Sequence, residues 1–274
     1  MSDITQFPAY RSPLTSLSPQ SSEGHLSTPA TTDSCSQTLR VPAASGDMSF
    51  LPNASRNVLV VGSSGHARVV IDLLIQLGTY SVSGVVDSYV RSGTVCGGIL
   101  ILGTEHDVAR LIEEYDVYGL VVAIGDNYVR MQMVETLKKA APESRFITAI
   151  HPHSYVAPDV RFGEGTVVMA GAVINSGSVI KDHCIINTNA SLDHDSVMED
   201  YSSLGPRAAT GGNVTLGKFT AVSLGANVIH GINIGEHTLI GAGSTVVRDI
   251  PSNVVALGLP ARVTRPRRIG ERYL

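Results

Sequence analysis

The sequence predicts two folded domains in succession, a small parallel α/β domain followed by a parallel β-helix, with an unstructured segment before them. Residues 1–55 are rich in Ser, Thr and Pro and poor in large apolar side chains, which is typical of disorder. Residues 56–150 alternate short apolar runs with stretches of helical period, which indicates an α/β domain. Residues 151–265 place an apolar residue at every sixth position, which indicates a solenoid. Residues 266–274 follow as a basic tail.

The composition narrows the classes of partner. The chain has 274 residues, a formal net charge of −4 at pH 7 and three cysteines, Cys35, Cys96 and Cys184. It has no basic excess for nucleic acid, no apolar run as long as a membrane span and no signal-peptide pattern at its start. An odd number of scattered cysteines gives neither a disulfide framework nor a CxxC metal site. We therefore expect a cytoplasmic protein that binds small molecules or copies of itself, without nucleic acid, membrane or metal.

The first segment contains a second methionine. Met48 lies just before the first predicted strand, so the sequence leaves open whether residues 1–47 are translated. A tail without apolar anchors adds nothing to a core.

The predicted α/β domain starts with Val58–Val61, a β-branched run of the kind found in buried strands. A turn over Gly62–Gly65 and a helical stretch from His66 to Leu77 follow it. Alternation of strands and helices predicts a parallel sheet. The later predicted elements are strands over 82–86, 119–124 and 145–150 and a helix over 128–140.

The six-residue period is the strongest pattern in the chain. Of the sixteen positions at this spacing from Val156 to Val246, fifteen are apolar and only Thr210 is polar. The residue four positions later is mostly small or β-branched, which includes Cys184 as a core residue. Glycines often follow the apolar position, as at Gly205 and Gly217, where we expect a turn with an unusual backbone angle. A strict period of six fits a β-helix with three hexads to a coil.

One histidine stands out in this repeat. Residues 18 apart should stack at the spacing of neighbouring strands, about 4.8 Å. His194 is flanked by Asp193 and Asp195, and a neighbouring carboxylate can orient an imidazole that acts as a general base. Gly212 lies one coil further on, where a bare backbone N–H could stabilise an oxyanion, and His230 lies two coils on. The alternative is that His194 is a solvated turn residue.

The α/β domain offers a second candidate site. Backbone amides of Gly62–His66, between a strand and a helix, could face a phosphate, although the full GxGxxG pattern is absent. Asp87 ends the second strand and Gly125 follows the third, so both should lie at the edge where open α/β sheets bind ligands. Tight-turn residues without a ligand are the alternative.

Four motifs together resemble a known family, the bacterial sugar O- and N-acyltransferases of the sialic acid O-acetyltransferase and UDP-4-amino-sugar N-acetyltransferase type. The motifs are Val60–His66, Ala123–Asn127, Ile186–Asp195 and Gly258–Arg262. The resemblance covers about residues 57–265. It implies a Rossmann-like domain for a nucleotide sugar, a left-handed β-helix, acetyl-CoA as co-substrate without a metal, and a homotrimer with active sites between subunits.

The resemblance also implies roles for individual residues. His194 would be the general base, and Asp195, which is Glu in some relatives, would raise its basicity. The nucleotide-sugar contacts would fall on Ser64, Gly65, His66, Asp87, Ser88 and Gly125. The acetyl-CoA contacts would fall near Ser203, Leu224 and Ala242, where Ser203 departs from relatives that have histidine. Gly212 and Arg262 complete our predicted cofactor contacts. Arg262 is included because the arginine cluster that it forms with Arg265, Arg267 and Arg268 could meet the phosphates of CoA. A basic solvated tail is the alternative for that cluster.

The predicted function is direct transfer of acetyl from acetyl-CoA to the amino group of a nucleotide-linked amino sugar. O-acetylation of a sialic acid or another sugar is the alternative within the same class. A zinc enzyme resembling γ-type carbonic anhydrase and a non-catalytic solenoid that binds a nucleotide sugar are the rivals outside it. The α/β domain argues against the zinc enzyme. The sequence decides neither the acceptor and its nucleotide nor N- against O-transfer.

We predict that removal of residues 1–47 leaves folding and activity essentially unchanged, because that segment carries no apolar anchor. Thermal unfolding and turnover of the shortened chain, measured beside the full chain, check this. A large drop in either quantity would contradict it.

Overall fold

The structure, a computed structural model, describes residues 55–273. Residues 1–54 of the predicted unstructured segment therefore lie outside the described residues. Among those that are described, the longest helix has 14 residues, and none is both long and apolar enough to cross a membrane.

The first domain is a five-stranded sheet with helices packed against it. Its strand order is β3-β4-β2-β1-β5, parallel throughout except for the β3–β4 hairpin. In chain order the elements are β1 (Arg56–Val61), α1 (Gly65–Leu77), β2 (Tyr80–Val86), β3 (Val95–Cys96), β4 (Ile99–Gly103), a 3₁₀ turn (Glu105–Asp107), α2 (Val108–Glu114), β5 (Val117–Val122) and α3 (Asn127–Ala140).

Local chemistry explains these elements. Val58–Val61 are all buried, as expected for a central strand covered on both faces. Helix α1 ends at Gly78, which adopts φ +68° in the left-handed region. Helix α3 begins after Asp126, whose carboxylate accepts hydrogen bonds from the N–H groups of Tyr128 and Val129, both at 3.0 Å. The loops after β1, β2 and β5 consequently meet at one edge of the sheet.

One predicted strand of this domain is wrong. Over residues 145–150, pairing with the sheet is limited to one isolated bridge between Phe146 and Leu120, in which Leu120 N–H donates to Arg145 O at 2.8 Å and Ile147 N–H donates to Leu120 O at 2.9 Å. Ala149–Ile150 pairs instead with Val167–Val168 and is the first strand of the solenoid. The β3–β4 hairpin, with Gly97 and Gly98 both at positive φ in its turn, was missed.

Residues 149–258 form a left-handed parallel β-helix with three faces, which confirms the predicted fold, and the antiparallel strand Ala261–Pro266 closes it as a hairpin with Val254–Gly258. The first face contains Ala149–Ile150, Val167–Val168, Ile185–Ile186, Ser203–Leu204, Ala221–Val222, Leu239–Ile240, Val254–Gly258 and Ala261–Pro266. The second face contains Tyr155–Val156, Val173–Ile174, Ser191–Leu192, Ala209–Thr210, Asn227–Val228 and Thr245–Val246. The third face contains Arg161–Phe162, Val179–Ile180, Val197–Met198, Thr215–Leu216 and Asn233–Ile234.

The predicted inward phase is confirmed. Every sixth residue from Val168 to Val246 is buried, and so is every residue of the second series from Thr166 to Ala226. Cys184 is a free, buried thiol in that second series, as predicted. The solenoid core therefore consists of these two series of inward-facing side chains, each stacked from one coil to the next.

The predicted reason for the glycines was wrong. Gly205 and Gly217 do not have positive φ; the left-handed positions recur every six residues two places further on, from Gly165 to Gly243. Gly217 is required because a Cβ there would lie 2.5 Å from the backbone nitrogen of Glu236 in the next coil. Close stacking of coils, and not turn geometry, explains this series.

The two domains are joined by a buried arginine. Arg130 on α3 is 1% exposed, and its guanidinium donates to His183 O at 2.9 Å and to Tyr201 O at 3.1 Å on two successive coils. It also donates to Ile124 O at 2.9 Å and Gly125 O at 3.1 Å in the loop after β5. The solenoid and the sheet edge are therefore held in one fixed relation.

We predict that Leu204→Asp prevents soluble folding, because it places a charge inside the solenoid where Leu204 is fully buried. Leu204→Ala should remain folded but lose about 2–5 kcal/mol of unfolding free energy. Ile75→Asp on the exposed face of α1 is the matched control and should cost less than about 1 kcal/mol. Chemical denaturation measures the difference, and equal losses at residues 204 and 75 would refute the inward phase.

Candidate functional site

A cavity of about 280 Å³, which we call the edge cavity, lies where β1, β2 and β5 end. Of the predicted contacts, Ser64, Asp87, Ser88 and Gly125 line it. Gly65 is the first residue of α1, directly after the lining residue Ser64. Sequence reasoning thus brought these residues to one cavity, but it included Ser63 only within the Gly62–His66 turn and did not name Glu105 or Arg272, which also line the cavity.

Asp87 is held in place as a carboxylate. Its Oδ2 accepts a hydrogen bond from Ser63 Oγ at 2.7 Å, and its Oδ1 accepts from the N–H groups of Tyr89 at 2.8 Å and Val90 at 2.9 Å. Partial burial opposes ionisation, but these hydrogen bonds outweigh it and hold the pKa of Asp87 below its usual value. The edge cavity therefore presents a fixed negative charge and hydroxyl groups, suited to a polar ligand.

A second cavity of about 580 Å³, the face cavity, lies on the first face of the solenoid. Three of the predicted cofactor contacts, Ser203, Leu224 and Ala242, line it together. His66 and Gly125 of the α/β domain close its other side. Because Gly125 lines both cavities, they adjoin at the loop before α3.

The histidine of the face cavity is neutral. Burial, with a smaller effect of Arg130, lowers the pKa of His66 to about 4. Its Nε2 is buried and has no hydrogen-bond partner among residues 55–273, so it can accept or donate one bond to a ligand. Ser203 is less free, because its Oγ accepts a hydrogen bond from Asn127 Nδ2 at 3.1 Å.

His194 and Asp195 form a pair at the corner between the second and third faces. His194 Nδ1 lies 2.8 Å from Asp195 Oδ2, and this hydrogen bond raises the pKa of His194 above its usual value. The His194 ring lies over Gly212, where a Cβ would come within 2.5 Å of its Nε2. The Asp195 carboxylate lies in the same way over Gly177. Because Gly212 and Gly177, one coil after and one coil before, have no side chains, they leave room for the pair.

Thr210 explains the one polar position in the apolar ladder. Its Oγ1 accepts a hydrogen bond from the N–H of Asp193 at 3.2 Å, whereas one coil earlier the N–H of Asn175 bonds a backbone oxygen, Leu192 O. Asp193 in turn accepts from Asn175 Nδ2 at 2.7 Å and from the N–H of His194 at 2.8 Å. The ladder is thus modified at the entry to the His194 turn, and the buried hydroxyl helps to position that turn.

His230 is closer to His194 than expected. The centroids of the two rings are 6.0 Å apart, since Gly212 between them has no side chain. The N–H of Gly212 has no acceptor within the described part of the chain. His194 and His230 are exposed and Gly212 is buried between them; we call these three residues the histidine corner.

The histidine corner and the face cavity lie on different sides of the same solenoid. The corner joins the second and third faces, whereas Ser203, Leu224 and Ala242 belong to the first face and its edge. A single chain therefore does not bring its own His194 to its own cavities. Gly212 likewise lies with His194 and apart from the other predicted cofactor contacts.

The arginine cluster is largely structural. Arg267 is 6% exposed and donates to His237 O at 3.0 Å, and Arg265 pairs with Glu271 at 2.6 Å. Arg262 is exposed on the antiparallel hairpin formed by Val254–Gly258 and Ala261–Pro266; it donates to Ala261 O at 2.9 Å and lines neither cavity. The structure thus does not bring Arg262 to the other predicted cofactor contacts within one chain.

A stack of rings at the corner between the third and first faces was missed. His183, Tyr201, Phe219 and His237 are each 18 residues apart, and consecutive ring centroids are 5.0, 5.4 and 4.5 Å apart. All four have positive φ. Their spacing was visible in the sequence, and α3 packs against them through Tyr128.

No group of three or more His, Cys, Asp or Glu residues within 55–273 could hold a metal ion.

We predict that the histidine titration of His194 depends on Asp195. NMR of the imidazole protons should give His194 a pKa above the ordinary 6.5, and Asp195→Asn should lower it because the ring loses its anionic partner. Asp193→Asn is the control and should have a smaller effect, since Asp193 bonds a backbone N–H and Asn175 rather than the ring. Equal shifts in the two variants would contradict the geometry.

Comparison with protein families gives a match within the α/β domain. The family model of the PglD N-terminal domain matches residues 57–137. UDP-N-acetylbacillosamine N-acetyltransferase of Bacillus subtilis (strain 168) is 39% identical over 116 residues, which is 42% of this chain. The chain spans about half, 52%, of the length of that curated relative.

Solved structures match over both domains. The perosamine N-acetyltransferase of Caulobacter crescentus, in complex with CoA and GDP-perosamine, is 38% identical with a TM-score of 0.71; the match covers 76% of this chain and 97% of that one. Two further structures of the Caulobacter protein carry a histidine changed to asparagine or alanine. The acetyltransferase domain of PglB from Neisseria gonorrhoeae FA1090, in complex with acetyl coenzyme A, is 32% identical with a TM-score of 0.69, covering 76% and 99%. This chain, with its α/β domain and hexapeptide-repeat β-helix, belongs to the PglD-type family of sugar acyltransferases.

Proposed function

We propose that the protein transfers the acetyl group of acetyl-CoA to the amino group of a nucleotide-linked amino sugar. The observation that carries the proposal is the His194–Asp195 pair, 2.8 Å apart, with an unpaired backbone N–H at the adjacent Gly212. A base and an oxyanion donor side by side are what acyl transfer requires. Relatives that bind CoA and GDP-perosamine, or acetyl coenzyme A, support the choice of donor and acceptor class.

The two cavities suggest a division of labour. The edge cavity, with Asp87 fixed by Ser63 and backbone amides, suits the nucleotide of the sugar. The face cavity, lined by Ser203, Leu224 and Ala242, suits acetyl-CoA. Since both meet at Gly125, a sugar held in the first can reach a thioester held near the second.

A homotrimer completes the site in this proposal. His194 lies on the opposite side of the solenoid from the face cavity of its own chain, so the base must come from a neighbouring protomer. Three-faced solenoids side by side around a threefold axis would bring the histidine corner of one chain to the first face of the next. Exposed apolar residues at both places, Ile229 and Leu224, fit a contact between protomers.

The reaction then follows from the residues. The amine nitrogen attacks the thioester carbonyl carbon while Nε2 of neutral His194 takes the proton of the amine. The Gly212 N–H donates to the oxyanion of the tetrahedral intermediate. The carbon–sulfur bond breaks, CoA leaves as the thiolate, and the proton on His194 passes to it. Asp195 stabilises the imidazolium through Nδ1 and keeps Nε2 as the accepting atom.

The reaction belongs in the cytoplasm under this proposal. Cys96 and Cys184 are both free, buried thiols, which is the normal state of cysteine in a reducing compartment.

Acetyl-CoA consumption should be screened against UDP-, GDP- and dTDP-linked amino sugars and against free sialic acids. Turnover of an amino sugar supports the proposal; turnover of a sialic acid alone would replace it with O-acetylation.

The division of the site between protomers can be tested by complementation. His194→Ala retains the face cavity, whereas Ala242→Phe should block that cavity and retain the base. Co-expression of the two variants should restore activity that neither has alone, because some interfaces pair an intact base with an intact cavity. A protein that is monomeric by light scattering, or no restored activity in mixed trimers, would overturn the shared site.

We predict that His194→Ala lowers kcat by about 10² to 10⁴, the usual contribution of a general base, while acetyl-CoA binding stays nearly intact. Asp195→Asn should lose less, since the carboxylate modulates the base without replacing it. In Asp195→Asn, the acid side of the pH–activity profile should also move to lower pH. Activity needs neutral His194, so it falls as the pH drops through the pKa of His194, and Asp195 raises that pKa. Steady-state kinetics across pH on one confirmed acceptor measures both effects.

The control for this prediction is His153→Ala, an exposed histidine in the first coil. It should leave kcat within about twofold of the parent, as surface substitutions usually do. His230 is unsuitable because its ring lies within the histidine corner. Equal losses at residues 194 and 153, or none at 194, would remove the catalytic assignment.

A further inference from the structure

The last described residues, 267–273, do not form a loose tail but fold back on the junction of the two domains. We call them the return segment. Arg267 anchors it: its N–H donates to Asn253 O at 2.7 Å, and its buried guanidinium donates to His237 O at 3.0 Å and to Glu271 O at 2.7 Å. The same guanidinium lies 5.1 Å from the centre of the Tyr273 ring. The predicted basic tail is thus an ordered part of the domain junction.

Further contacts hold the middle of the return segment. Glu271 pairs with Arg265 and accepts a hydrogen bond from the N–H of Arg268 at 3.1 Å. Gly270 adopts φ +75° and packs against Tyr128, whose ring would lie 3.0 Å from a Cβ at this position. A residue with a side chain would be strained there for both reasons. The path of the segment toward the cavities is therefore specified by several independent contacts.

The end of the return segment reaches both cavities. Tyr273 lines the face cavity, and its hydroxyl donates to Gly125 O at 3.4 Å and accepts from the N–H of Asn127 at 3.3 Å. Arg272, the preceding residue, lines the edge cavity. The segment thus lies across the loop that the two cavities share.

The charges of the edge cavity give Arg272 a distinct role. Its other charged lining residues, Asp87, Glu105 and Asp126, are all acidic. Within the described part of the chain, Arg272 is the only lysine or arginine that lines it, and its guanidinium has no hydrogen-bond or ion-pair partner there. Arg272 is therefore the one charged lining residue that attracts a phosphate group, and it offsets part of the repulsion that the three acids exert on a diphosphate.

We propose that Arg272 binds the diphosphate of the nucleotide-linked sugar and that Tyr273 positions the Gly125 loop between the nucleotide and the acetyl-CoA sides of the site. The inference rests on the proposed function for the identity of the ligand. A guanidinium can donate two parallel hydrogen bonds to phosphate oxygens, which lysine cannot do in the same geometry. The backbone N–H groups that begin α1 would supply donors on the other side of the diphosphate.

The test compares Arg272→Gln with the parent, using one acceptor that the parent turns over. Loss of a charge-assisted contact at an exposed side chain should raise KM for the nucleotide sugar about tenfold. KM for acetyl-CoA should stay within about twofold, because Arg272 does not line the face cavity. Arg272→Lys should recover only part of the loss. Tyr273→Phe, which removes the bonds to Gly125 and Asn127, should lower kcat more than it raises either KM.

Arg268→Gln is the matched control, since Arg268 is an exposed arginine of the same segment that lines neither cavity. Binding of UDP, GDP and dTDP by calorimetry gives a readout without turnover. If the parent turns over a nucleotide sugar but Arg272→Gln matches Arg268→Gln in KM and nucleotide affinity, the role of Arg272 is refuted. A lower KM in Arg272→Gln would also overturn it, since the segment would then obstruct the cavity. A parent without nucleotide binding or turnover refutes the proposed function instead.

Discussion

The geometry of the whole molecule depends on the burial of one cation, Arg130. Its guanidinium donates to four backbone carbonyls, two in the loop after β5 and two in successive coils, and to Asn127 Oδ1 at 2.7 Å. Burial lowers the pKa of Arg130, and none of its hydrogen bonds goes to a carboxylate. An unpaired buried charge costs several kcal/mol, so the carbonyl dipoles must be held where they are. The loop that separates the two cavities is thereby tied directly to the solenoid.

For the proposed acetyl transfer, this arrangement fixes how the two cavities are spaced. The Gly125 loop cannot move relative to the coils without breaking bonds to Arg130, so the distance between the two cavities is set by the fold rather than by a ligand. Reacting groups that are held in a fixed relation gain much of the rate that a bimolecular encounter would lose. The exposed part of the proposed site is the histidine corner, where His194 and the neighbouring Asp195 are about half exposed in a single chain. Burial of that corner would strengthen its electrostatics.

The solenoid was predictable because each coil repeats the same physical problem. The inward ladders, the position of Cys184 and the place of His194 all follow from a period that sixteen hexads preserve. Placing residues around the edge cavity was also possible, because carboxyl ends of parallel strands meet at one edge. Arg130 was not predictable. Its partners His183 and Tyr201 lie 53 and 71 residues away, and nothing in the pattern of α3 distinguishes it from a solvated arginine. The strand over 145–150 failed because its residues leave one domain and begin the next.

The 18-residue coil also limits how the length of this chain can change. The α/β domain is attached at one corner, through His183 and Tyr201, while His194 occupies the next corner but one. An insertion of one hexad between these points would turn every later corner by a third of a revolution and present a different face at the position of His194. Only whole coils could be added there without moving His194 to a different corner of the solenoid. Variation in length is therefore confined to multiples of 18 in the coils between the docking corner and the end of the site, whereas loops of the α/β domain carry no such restriction.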